Sequence, residues 1–155
     1  MWREIGEAFR LIGSTGDGCR CALLLGNGKS FCAGIDTSDP DFGLIGGDDD
    51  DDEEEEEEKS GGPATADVAR KFLSFRPKIL EMQASLTALE ECAVPVVAAI
   101  HGACIGAGID LTCCADIRLS TSSAKFGVRE ARIGLAADVG TLQRFPKIVG
   151  HGSSV

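Results

Sequence analysis

The sequence predicts an α/β fold built on a mainly parallel sheet. Three observations carry that reading. Cys21 to Leu25 (CALLL) is a short, continuously apolar run of the kind buried on both faces of a parallel sheet. Val94 to Ile100 is a second buried strand, and it runs into a turn containing Gly102, Gly106 and Gly108 and then a short apolar helix from about Ala107 to Cys114. Two longer stretches, residues 2 to 12 and 64 to 92, instead space their apolar residues three to four apart, as amphipathic helices do.

Taken in order, the first helix is marked by Trp2, Ile5, Ala8, Phe9 and Ile12, and no capping residue precedes it. Gly16 to Gly18 form a turn before the first strand, which ends at Gly26-Asn27-Gly28. From Pro40 to Pro63 the composition changes: eleven consecutive acids, Asp48 to Glu58, stand between glycines. Such a segment has too little apolar surface to offset the entropy of ordering, so it is expected to be disordered. The second helix runs through Val68, Phe72, Phe75, Ile79, Met82, Leu86 and Leu89. Pro77 within it predicts either a kink or two helices meeting near Arg76.

Charge and cysteine usage narrow the function. The net charge of −10 is a local feature, because outside the acidic run 14 acids face 15 bases. No basic footprint for nucleic acid is present. Seven cysteines, an odd number mostly in apolar stretches, imply a reducing compartment. Cys19-x-Cys21 and Cys113-Cys114 lack a second paired motif, and His101 and His151 are the only imidazoles, so no metal site is expected. Neither histidine has a serine or cysteine nucleophile at a recognisable spacing, and both are read as structural, as is Asp116 beside the strand of Ile117 and Leu119. No apolar run is long enough to span a membrane, and the first residues lack a signal-peptide pattern, so a soluble, non-secreted protein is expected.

The chemistry concentrates at the strand, glycine turn and helix start of residues 94 to 114. Unpaired N–H groups at the positive end of a helix dipole suit an oxyanion, and small residues let it approach the main chain. A dinucleotide fingerprint would need glycine at Leu111, and no phosphate-loop motif occurs, which leaves nucleotide cofactors poorly supported. Three acids lie close by in sequence: Asp110 in the first helical turn, Glu130 after a second short strand, and Asp138 at the expected N-cap of a third helical segment starting at Val139. An oxyanion site with nearby carboxylates suggests proton transfer next to a carbonyl. Each acid also has a plain structural reading: Asp110 as a dipole partner, Glu130 as a surface acid beside Arg129 and Arg132, Asp138 as a cap.

Residues 21 to 38 (CALLLGNGKSFCAGIDTS) and 92 to 150 resemble the enoyl-CoA hydratase/isomerase, or crotonase, superfamily. GAGID with FGVREARIGLAADVGTLQRFPKIVG is most similar to the Δ3,5-Δ2,4-dienoyl-CoA isomerases. The resemblance implies a crotonase-like spiral of ββα turns, here incomplete, over residues 1 to 150, with the acidic insertion at 40 to 63 and a tail at 151 to 155. It implies that the Ile35 and Ala107 amides donate to a thioester oxygen and that Ala33 and Gly34 belong to the acyl-CoA-binding turn. The family usually has glycine where Ala107 stands. Carried onto matching positions, Glu130 removes the C2 proton of a 3,5-dienoyl-CoA, Asp138 delivers a proton to C6, and Asp110 assists electrostatically.

Hydratases of the superfamily usually carry Glu, not Asp, at the position of Asp110. Enoyl-CoA hydration and Δ3-Δ2 isomerisation are the alternative reactions, and a non-catalytic fragment is the alternative from another class. Coenzyme A enters as part of the acyl-CoA substrate, with no separate cofactor. The resemblance further implies a mitochondrial or peroxisomal setting and, at full length, a homotrimer or hexamer. The family's initial hairpin and its C-terminal helices, which cover the active site, have no counterpart in this chain, so the sequence reads as the central part of a longer protein.

Overall fold

The computed structural model describes residues 1–14, 18–36 and 68–153. The acidic stretch at 40 to 63 lies outside the described residues. Helix α1 is Trp2–Ser14 and α2 is Val68–Glu90; between them lies strand β1, Ala22–Leu25. Two successive ββα turns follow: β2 (Val96–Ile100), β3 (Ala103–Ile105) and α3 (Ala107–Cys114), then β4 (Ile117–Ser120), β5 (Lys125–Gly127) and α4 (Thr141–Val149). Single 3-10 turns occupy Glu130–Ile133 and His151–Ser153.

Each turn lays its first strand in one sheet and its second in another. The larger sheet has the order β1-β2-β4 and is wholly parallel, with Ala22 opposite Val96 and Val97 opposite Ile117. The smaller sheet pairs β3 with β5 in parallel, and Cys32 adds an isolated bridge to Cys104 on its other side. Parallel pairing needs a crossover. Here the second strand and the helix of each turn supply it.

Strand alternation decides what is buried. Ala22, Val96, Ala98 and Ile100 point into a core shared with Phe9 of α1, Leu86 and Leu89 of α2, and Ile109 and Leu111 of α3. The opposite face of the larger sheet carries Leu23, Leu25, Ile117 and Leu119, each at least half exposed. The expectation that β1 is buried on both faces is thus corrected: among the described residues the helices of the core cluster cover only one face. Ala8, expected on the apolar stripe of α1, is likewise exposed.

Helix α2 runs uninterrupted through Pro77, so the two-helix alternative is not adopted. Pro77 has no N–H to donate to the carbonyl of Leu73, and both residues are exposed, so the lost bond lies on the solvent side of the helix. Helices α1 and α2 pack together, with Arg3 paired to Glu81. Asp116 proves structural: its carboxylate accepts the Val96 amide at 2.7 Å and pins the start of β2. The His101 ring meets the Gly28 carbonyl at 3.0 Å. None of the seven cysteines forms a disulfide. No helix among the described residues is long and apolar enough to cross a membrane.

Leu86 is wholly buried and Leu23 is 60% exposed. Leu86→Ala should therefore cost about 3 kcal/mol in denaturant unfolding, and Leu23→Ala under about 1 kcal/mol.

Candidate active site

The site grows from the passage of β3 into α3. Gly106 caps the helix with φ of 53°, and its own amide donates to the Gly127 carbonyl at 2.9 Å, tying the turn to β5. A Cβ at Gly106 would stand 3.3 Å from Glu130 Oε1. The glycine thus serves both the left-handed turn and the approach of the acid. Ala107, the first helical residue, has an amide with no intrahelical acceptor, at the positive end of the α3 dipole. An alanine here keeps the amide donor intact.

Across from it, Phe31 and Cys32 are strapped to the larger turn by three backbone bonds: Phe31 N–H to the His101 carbonyl, Cys32 N–H to Ala103, and Ile105 N–H back to Cys32. These bonds fix the segment Ala33-Gly34-Ile35 beside the α3 start. Gly34 has φ of 105°, a conformation that favours glycine. An opening of about 210 Å³ is lined by Ala33, Gly34, Ile35, Ala107 and Glu130, among others. All four residues expected to bind the acyl thioester therefore border one space.

A second, smaller cavity of about 50 Å³ continues from it, because Ile35, Ala107 and Glu130 line both. Asp110 and Asp138 join its wall, with apolar residues from α1 and α2. The three sequence-selected acids are brought together.

Their environments differ. Glu130 opens the 3-10 turn and is only 6% exposed, and its Oε2 is buried with no hydrogen-bond partner among the described residues. The reading of Glu130 as a surface acid does not hold. Asp110 is 2% exposed and accepts the Thr141 hydroxyl at 2.7 Å on Oδ1. Burial raises its carboxyl above the usual range; the Thr141 hydroxyl and amide oppose that shift, the Glu130 carboxylate adds to it, and the Arg144 guanidinium opposes it. Asp138 is half-buried, and its carbonyl accepts Gln83 Nε2 at 2.7 Å, which fastens its loop to α2.

Asp138 is not the N-cap expected of it. The third segment begins at Thr141, its capping residue is Gly140, and no side chain caps it. The acid that meets the start of α4 is Asp110, which reaches across from α3 and takes up the Thr141 donors. Behind it, Arg144 is held by Glu90 through bonds of 3.0 Å and 2.5 Å, which keep the Glu90 carboxyl low. Burial raises the neighbouring Cys113 thiol to about 11 and the Cys114 thiol to about 12, so neither supplies a thiolate near neutral pH.

Sequence reasoning missed several contributors. Trp2, Phe75, Ile79 and Met82 line the smaller cavity. Their helical spacing marks an apolar face without saying what that face covers. Gln83 and Thr141 gave no signal beyond being polar residues near an apolar helix face or a helix start.

The fold and site together define an α/β spiral protein with a carboxylate-lined apolar cavity beside a helix N-terminus. The profile of the enoyl-CoA hydratase/isomerase family matches residues 73–154. The chain belongs to that family. It is 42% identical, over all 155 residues, to the mitochondrial Δ(3,5)-Δ(2,4)-dienoyl-CoA isomerase of Rattus norvegicus, and 41% identical over 133 residues, 86% of this chain, to the peroxisomal enzyme of that name from Arabidopsis thaliana. The chain spans 42% of the length of each of these relatives. Among solved structures, an enoyl-CoA hydratase/carnithine racemase from Magnetospirillum magneticum superposes with a TM-score of 0.72 at 28% identity, covering 99% of this chain and 48% of that one.

The raised Asp110 carboxyl predicts a stability effect with a definite sign. A carboxyl that folding raises binds its proton more tightly in the folded chain, so its charge destabilises the fold above that pKa and ceases to do so as pH falls toward the ordinary 3.8. Asp110→Asn, whose amide oxygen still accepts from Thr141, should melt above the wild type at pH 8. Thermal melts should show the difference closing as the pH is lowered.

Proposed function

We propose that this chain carries the active site of a 3,5-dienoyl-CoA to 2,4-dienoyl-CoA isomerase. The observation that carries the proposal is the pairing of a buried, unpartnered Glu130 Oε2 with Asp110 and Asp138 around one cavity, next to the Ala107 amide. The similarity to dienoyl-CoA isomerases supports it.

The reaction is a proton relocation. The substrate thioester oxygen sits between the Ile35 and Ala107 amides, with Ala33 and Gly34 along the acyl-CoA path. Glu130 takes the C2 proton, and the electron pair spreads as a dienolate from the thioester oxygen along the chain. Asp138 gives a proton to C6, the double bonds move to C2–C3 and C4–C5, and the product differs only in the position of its unsaturation. Two amide donors at the oxygen stabilise the dienolate by several kcal/mol.

One carboxyl must be ionised while another is protonated. Three acids around one cavity offer separate groups for the two roles. Asp110, held from outside the substrate path, supplies a fixed charge. Position favours this reading over hydration or Δ3-Δ2 isomerisation, since Asp138 lines the same cavity as Glu130. The relatives named for mitochondria and peroxisomes support one of those compartments.

The chain should convert a 3,5-dienoyl-CoA to its conjugated 2,4-isomer in an ultraviolet absorbance assay. Glu130→Gln and Asp138→Asn should each lower kcat by about 10²- to 10⁴-fold. A folded wild-type chain without turnover, or variants with wild-type kcat, would contradict the assignment.

A further inference from the structure

Asp110 is the most deeply buried of the three acids, and its carboxylate is held by the hydroxyl of Thr141. Thr141 is itself only 3% exposed and belongs to neither the substrate path nor the hydrophobic core cluster. As the first residue of α4 it has two donors without a helical use: its hydroxyl and its amide, the latter at the positive end of the helix dipole. Both converge on the Asp110 carboxylate. A hydroxyl-to-carboxylate bond of 2.7 Å is of the charge-assisted kind. The β-branched side chain restricts the rotation that would let this hydroxyl turn away.

We infer that Thr141 is a positioning residue for the isomerisation: it fixes the orientation and the charge of Asp110 on the cavity wall that Asp110 shares with Glu130. This inference rests on the isomerase reading of the site. The groups facing Asp110 are few. Glu130 interacts with it from the 3-10 turn, and Asp138 of the following loop lines the same cavity. Arg144 approaches from α4, already engaged by Glu90 of α2, and the thiols of Cys113 and Cys114 stand on its own helix. Glu130 is an acid and Arg144 is held by Glu90. The Thr141 donors are therefore what favours the ionised form directly at the carboxylate oxygens.

Without the hydroxyl, Asp110 takes up a proton more readily. A neutral Asp110 removes the negative charge that stands beside Glu130, so the loss falls on the chemical step and leaves acyl-CoA binding largely as it was.

The test compares Thr141→Val and Thr141→Ser in the full 155-residue chain. The Asp110 titration is followed by carboxyl ¹³C NMR, assigned by its loss in Asp110→Asn, and kcat and KM are measured on a 3,5-dienoyl-CoA. Thr141→Val should move the Asp110 midpoint up by about one unit and lower kcat about tenfold, with KM within about twofold. Thr141→Ser should return both toward the wild type. Thr141→Ala carries the same expectation as valine and replaces it where valine does not fold.

An unmoved midpoint in a folded valine or alanine variant, or a serine variant as impaired as valine, would overturn the inference. The titration needs no substrate, which separates the two readings. Turnover with an unmoved midpoint removes the role of Thr141 and leaves the reaction. A moved midpoint in a chain that does not turn over removes the isomerase reading instead.

Discussion

The start of α3 is the constraint on which the rest of the molecule depends. A helix that begins directly after a buried strand leaves amide groups without intrahelical acceptors. Here Gly106 turns the chain, β5 accepts its amide, and Ala107, first in the helix, borders the space lined by Ala33, Gly34 and Ile35. The two sheets serve this arrangement. The larger sheet delivers β2 to the turn, the smaller one holds β3 against Cys32 and β5, and α3 is thereby seated with Ile109 and Leu111 in the core.

Burying acids beside such a turn is costly, and the structure offsets the cost unequally. Asp110 receives two donors from Thr141 and has Arg144 nearby. Glu130 Oε2 receives none. A buried carboxylate oxygen without a partner is destabilising, and such groups persist where the position has a use in chemistry. One satisfied and one unsatisfied acid thus share the same cavity, and the proposed reaction assigns the first a fixed charge and the second the proton transfer.

Much of this was legible from the chain, for identifiable reasons. The limits of α3 followed from a continuous apolar run behind closely spaced glycines, and Asp110, Glu130 and Asp138 stood out because they follow an oxyanion-type turn. What escaped was whatever depends on distant neighbours. The run Cys21 to Leu25 looks buried on both faces, yet burial of Leu23 and Leu25 depends on an element opposite them, which apolar periodicity does not specify. Asp138 has the composition of an N-cap, but the helix begins at Thr141 and meets an acid 31 residues earlier in the chain. Pro77 reads as a break, and its exposed position let α2 continue past it. The apolar stripe of α1 announced a packed helix without revealing that Trp2 reaches the acid-lined cavity.

The central claim is that separate carboxylates remove and deliver the proton, and the most direct measurement is the isotopic content of product formed in deuterium oxide. Two acids acting at C2 and C6 predict 2,4-dienoyl-CoA that carries deuterium at C6, delivered from Asp138 after exchange with solvent. Product whose added hydrogen at C6 is protium transferred from C2 of the substrate would mean that one base carries the proton the whole way, and it would contradict the account.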